Sequence, residues 1–133
     1  MYETIILIDP TTEISADEIQ KALSATYPTD RPGSPSVARR GPSFSVQWPD
    51  FNLELHLSSL PHVLEESGEM AGFLPESSVH REGVSSCRTR IEISGADDPG
   101  MSYFNDFCYV IEAIENLGKV YTFDQGSAQF MNL

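Results

Sequence analysis

His62 and Glu66 stand four residues apart, which puts both on one helical face at the spacing of a helical metal pair. No second histidine or third carboxylate follows at ligand spacing, and the segment is not H-E-x-x-H. The pair reads as a solvated helix face. His56 falls with Asn52 and Glu54 on the strand face opposite Leu53, Leu55 and Leu57, and His80 falls in a loop. Three scattered histidines support no metal site, and no cofactor is expected. Cys87 and Cys108 fall on apolar faces, with no adjacent base cluster or helix N-terminus to make a reactive thiolate, and read as buried, reduced thiols. There is no G-x-S-x-G, and Gly41-Pro42-Ser43 and Gly83-Val84-Ser85 are turns rather than phosphate cradles. Asp97 and Asp98 with Asp106 form the densest carboxylate cluster, but acids at a helix start are ordinary partners of its dipole. No catalytic residue is assigned, and a non-enzymatic protein is expected.

What remains is surface and charge. Twenty acidic residues against eight basic ones give a net charge of −12. Residues 41–80 carry Asp50, Glu54, Glu65, Glu66, Glu69 and Glu76 and no lysine or arginine, and residues 91–133 set seven acids against Lys119 alone. Such a field repels nucleic acid and anionic membranes and draws in basic proteins at raised association rates. Solubility alone is the blander use of an acidic surface. Two patches are candidates for partner binding. Asp97, Asp98, Tyr103, Asn105, Asp106 and Tyr109 gather at the start of a long helix, with Glu112 a turn further on. Tyrosines beside carboxylates suit an arginine-rich surface. The other patch is Glu65, Glu66 and Glu69 on the polar face of a second helix. Trp48, Phe51 and Tyr121 would add aromatic anchors if exposed, although Trp48 reads as core.

The elements that must position these residues centre on 86–124. Cys87, Thr89, Ile91 and Ile93 alternate with Arg88, Arg90, Glu92 and Ser94, as a strand does. Asp98-Pro99 reads as an N-cap followed by proline at the first helical position. Met101, Phe104, Phe107, Cys108, Ile111, Ile114 and Leu117 then form one helical stripe, closed by Gly118 and Lys119. Val120–Phe123 resumes as a strand, which suggests a right-handed crossover between parallel strands.

Upstream, YETIILI is a central, buried strand, and Ser15-Ala16-Asp17-Glu18 is a capping box opening a helix that stops at Pro28. Val37–Arg40 is a brief strand. Phe44–Trp48 and Phe51–Leu57 form a hairpin around Pro49-Asp50, and a second helical pattern runs from Leu60 to Leu74. Residues 75–86 read as an exposed connection of low order, and Phe130-Met131 as an edge strand or docked tail. The whole, residues 1–133, reads as a single α+β domain. It is expected to be a mixed, mostly antiparallel sheet of about five strands with two to three helices packed on one face, a ferredoxin-like variant. No apolar run approaches the roughly eighteen residues of a membrane helix, and the N-terminus lacks a basic n-region and cleavage site. A cytoplasmic location is expected.

The segment Arg90-Ile91-Glu92-Ile93-Ser94, then Asp97-Asp98, then Tyr103-Phe104-Asn105-Asp106-Phe107, resembles small acidic bacterial immunity proteins, which are made beside secreted polymorphic or contact-dependent toxins. The likeness spans residues 45–124 and brings no catalytic motif with it. It implies a single cytosolic domain that neutralises a cognate toxin by occluding it. The acidic balance would suit a basic toxin, through charge complementarity and fast steering. The alternative expectation is a small regulatory domain of the ferredoxin-like sensor kind, binding a metabolite at its sheet. No feature of the sequence bears on the oligomeric state. On the first reading, charge reversal at Asp98 and Asp106 is expected to weaken association and its salt dependence while leaving folding intact.

Overall fold

The computed structural model describes residues 2–133. The chain begins with β1 (Tyr2–Ile8), in which Ile5 and Leu7 are buried on one side and Ile6 and Ile8 on the other. A strand apolar at both parities needs cover on both faces. The helix α1 (Ala16–Thr26) follows, opened by the expected capping box: the Ser15 hydroxyl accepts from the Glu18 amide at 3.1 Å, and the Glu18 carboxylate accepts from the Ser15 amide at 3.1 Å. Then come β2 (Ser36–Arg40), β3 (Ser43–Trp48) and β4 (Phe51–Ser58), joined by tight turns at Gly41-Pro42 and Pro49-Asp50. Gly41 adopts φ +60°, a left-handed conformation suited to glycine. The remaining elements are α2 (Pro61–Ala71), α3 (Arg81–Ser85), β5 (Thr89–Gly95), α4 (Phe104–Glu115), β6 (Val120–Asp124) and β7 (Gln129–Phe130).

The strands form one sheet in the order β2-β3-β4-β5-β1-β6-β7, and every neighbouring pair is antiparallel. The fold is α+β, but the sheet has seven strands rather than about five and is not mixed. β5 and β6 do run parallel to each other, yet β1 lies between them and pairs with both. The 86–124 unit is therefore a crossover that passes over a strand contributed by the N-terminus. Local periodicity cannot reveal such an insertion, because it says nothing about which strand fills the gap.

The helices cover both faces, which corrects the expectation of one. On the first face, Ile19 and Leu23 of α1 and Phe107, Val110 and Ile114 of α4 pack over Ile6, Ile8, Leu53, Leu55, Ile91 and Ile93. On the second, Met70 and Ala71 of α2, Val84 of α3 and Cys87 cover Ile5, Leu7, Tyr121 and Phe123. Full burial of one such aliphatic or aromatic side chain is worth about 1.5–3 kcal/mol. The cover extends to Arg90 of β5 and Ser58 of β4, both buried, and goes no further across the sheet. Toward β3 and β4 it presents Ser45, Gln47, Glu54 and Ser94, which stay half-exposed or exposed.

Three local expectations change. Residues 75–86 contain the short helix α3, because Val84 is a fully buried anchor. Cys87 precedes β5 and turns to the second core instead of continuing the Ile91–Ile93 face. The long helix starts at Phe104, since residues 98–103 form turns in which Met101 takes φ +55° and is exposed.

Candidate functional site

The acidic and aromatic residues before α4 are brought together as expected, but they are largely engaged with one another. Asp98 accepts from the Ser102 amide at 3.0 Å, the Tyr103 amide at 2.9 Å and the Tyr2 hydroxyl at 2.7 Å. It thus holds the turn that launches the helix, from five residues before the cap position. Partial desolvation opposes its charge, but these donors, Tyr2 first, hold the carboxyl below the usual range. The reciprocal effect pushes the Tyr2 phenol up to about 12, through burial first and then the bond to Asp98. Tyr27 donates to Asp106 Oδ1 at 2.8 Å, and burial followed by that bond raises its phenol well above the ordinary value. Tyr103 donates to Asp50, which raises its phenol as well.

Rings complete the corner. Tyr103 stacks on Phe51 at 4.5 Å, Trp48 lies 5.5 Å from Tyr27 and 5.4 Å from Tyr103, and Tyr2 stacks on Phe107 at 4.5 Å. Tyr2, Phe51, Trp48 and Phe107 are placed by β1, the β3–β4 hairpin and α4, so the corner is a tertiary product. Phe51 and Tyr121 are buried and Trp48 packs against the core, so none of the three is a free anchor. Asp97, Asn105, Tyr109 and Glu112 remain exposed, with Tyr109 standing out at 52%. Reversing Asp98 and Asp106 would remove the acceptor of half-buried Tyr2 and the nearer acceptor of buried Tyr27, whose hydroxyl also reaches the Asp106 carbonyl at 3.3 Å, so a cost in folding is expected in place of intact folding.

The second patch lies across the sheet. Glu65 and Glu69 are exposed on α2, whereas Glu66 accepts from Arg90 Nη1 at 2.8 Å. Arg90, almost wholly buried, also holds Glu92 at 2.7 Å. Strand alternation separates Arg90 from the Ile91–Ile93 face but does not foretell this buried cation between two half-exposed carboxylates. Ile5, Met70 and Phe123 floor a groove of about 360 Å³ beneath these glutamates. Phe73 stands at its edge, 59% exposed and 5.4 Å from Phe123. Among the described residues, no lysine, arginine or histidine lines it.

One further pair was not legible beforehand. Ser43 Oγ lies 2.8 Å from His56 Nδ1 on the open part of the second face. Glu92 is opposite His56 in register, but its carboxylate is held by Arg90. Among the described residues, no group of three or more His, Cys, Asp or Glu side chains is placed to hold a metal ion. No described helix is long and apolar enough to cross a membrane. Set against protein-family models, curated proteins and solved structures, the chain matches none.

Proposed function

We propose that the chain is a non-enzymatic, acidic protein-binding domain, and in particular a cytoplasmic immunity protein that neutralises a basic bacterial toxin by occluding it. One observation carries the reading: Glu65 and Glu69 stand exposed beside Phe73, over a groove floored by Ile5, Met70 and Phe123 and lined, among the described residues, by no lysine, arginine or histidine. An exposed aromatic beside two exposed carboxylates joins an anchor to a steering field, and the −12 net charge extends that field over the whole molecule. Glu66 contributes through its charge while its position is fixed by Arg90. Asn105, Tyr109 and Glu112 on α4 offer a second contact surface, on the opposite face of the sheet.

The test is capture of a stoichiometric basic partner from the source cells by the tagged chain, at low and then high salt. Glu65→Lys with Glu69→Lys should abolish that capture and leave the melting curve unchanged. Capture that is indifferent both to salt and to these reversals would refute the reading. A second reading, a small-ligand regulatory domain, is favoured by a separate groove between α4 and β6.

A further inference from the structure

Phe107 of α4 stacks on Tyr2 of β1, and the first face stays partly open between α4, β6 and the residues after β7. In register, Thr4 opposes Asp124 and Ile6 opposes Thr122, so small polar side chains line the sheet there instead of large apolar ones. From the helix, Phe107, Cys108, Ile111, Glu112 and Glu115 face the same space, at intervals that keep them on one side of α4. The result is a groove of about 430 Å³, a size typical of small-molecule sites. Among the described residues, the Thr122 hydroxyl, donating to Glu115 at 2.5 Å, is the one side-chain hydrogen bond that ties the helix to the strand across it.

Its chemistry is amphiphilic. Phe107 and Ile111 form the apolar wall, and Phe104 and Met131, 41% and 63% exposed, flank the mouth. Tyr2 closes one end, with its ring 6.3 Å from that of Phe104. Three carboxylates, Glu112, Glu115 and Asp124, line the same space with no lysine, arginine or histidine, and none has a cationic partner among the described residues. Unneutralised carboxylates beside apolar walls attract a cation more strongly than in open water, and aromatic faces add to that attraction.

We propose that this groove binds a small lipophilic ammonium compound, with its hydrocarbon part against Phe107, Ile111 and Met131 and its charged head between Glu112 and Asp124. This rests on the small-ligand reading and is independent of the α2 surface. A neutral head forgoes the ion pair, and an anionic head is repelled by all three acids. The occupant is thus defined by charge as much as by shape.

Cys108 lines the groove and Cys87 is fully buried, so alkylation of Cys108 by neutral iodoacetamide reports occupancy in the intact chain. Octylammonium chloride should slow that alkylation saturably and raise Tm, while octanol and octanoate at equal concentration should do neither. Glu112→Gln with Asp124→Asn should raise the concentration for half-protection by roughly fivefold, the scale of one exposed ion pair. Protection is taken relative to the ligand-free rate of each variant. The amide oxygen introduced by Asp124→Asn can still accept from Ser127, as the native carboxylate does, so the turn is kept. Absence of both protection and a Tm rise with octylammonium overturns the proposal. Equal effects from octanol or octanoate overturn the ammonium assignment and leave the small-ligand reading standing. Protection by a lysine-rich peptide but not by octylammonium would transfer the groove to protein binding and overturn the proposal as well.

Discussion

The Tyr121 hydroxyl donates to Asp9 Oδ2 at 2.5 Å, joining residues 112 positions apart in a buried contact. Asp9 follows β1 and Tyr121 lies in β6, so the bond fastens the pairing of the two strands at one end. The Thr11 amide and hydroxyl also donate to this carboxylate, at 2.9 and 2.5 Å, and Lys119 Nζ lies 3.9 Å away. Burial opposes the charge of Asp9, but the donors from Thr11 and Tyr121 outweigh it and hold the carboxyl below its usual range.

Tyr121→Phe should therefore destabilise the fold by about 1–3 kcal/mol, the cost of leaving a buried acceptor short of a donor. The contribution of Asp9 is complete above about pH 4, the ordinary aspartate value, and is lost as pH falls through the lower folded value. Removing the phenol raises that folded value. The gap in stability between wild type and variant should thus be full at neutral pH and shrink in acid, as read by urea melts across the range. A gap independent of pH would detach Tyr121 from the ionisation of Asp9.

Gly83 of α3 rests on the same knot. A Cβ at this position would collide with Tyr121 Oη and lie 3.3 Å from Asp9 Oδ2. Gly83→Ala should cost about 1–3 kcal/mol, because the phenol cannot retreat without giving up its bond. Gly68, in the middle of α2, has nothing within 4 Å of the same atom. Gly68→Ala should stabilise by about 0.4–1 kcal/mol through the unfolded chain and helix propensity. Thermal melts of the two variants should move in opposite directions.

The two acidic patches should respond differently to charge reversal. Asp98→Lys with Asp106→Lys strips Tyr2 of its acceptor and Tyr27 of the nearer of its two, and breaks the turn before α4, so Tm should fall. Glu65→Lys with Glu69→Lys touches exposed side chains only, and Tm should hold. Any loss of partner binding in the first pair is then read against its folding, whereas in the second it reports the surface directly.

The thiols should separate cleanly at pH 8. Burial, then the charge of Asp9, pushes the Cys87 thiol up to about 12, whereas half-exposed Cys108 is raised by partial burial and by Glu112. Iodoacetamide should modify one site per folded chain, Cys108, and reach Cys87 only on unfolding. Glu112→Gln should speed the reaction of Cys108, since losing the neighbouring negative charge favours the thiolate. Mass spectrometry of the alkylated chain decides both points.

Sequence alone determined the local elements, because periodicity and capping are written within a few residues of each other. The Ser15 capping box, the Pro49-Asp50 hairpin and the Phe130 edge strand stand where the pattern puts them, whereas of the stripe from Met101 to Leu117 only Phe107 and Ile114 are buried, with Val110 beside them. The strand YETIILI, apolar at successive positions, already carried the demand for cover on two faces. Which elements supply that cover was decided only by tertiary structure. The placing of β1 between β5 and β6, and of α2 and α3 on the second face, follows from which hydrophobic stripes fit together once the chain closes on itself. The patch before α4 shows the same division. Composition made Asp98, Asp106, Tyr2 and Tyr27 acidic and aromatic. The pairing of Tyr2 with Asp98 and Tyr27 with Asp106, 96 and 79 residues apart, decided that these carboxylates are bound within the fold. A hydrogen bond is set by distance and direction in space, and neither is encoded in separation along the chain.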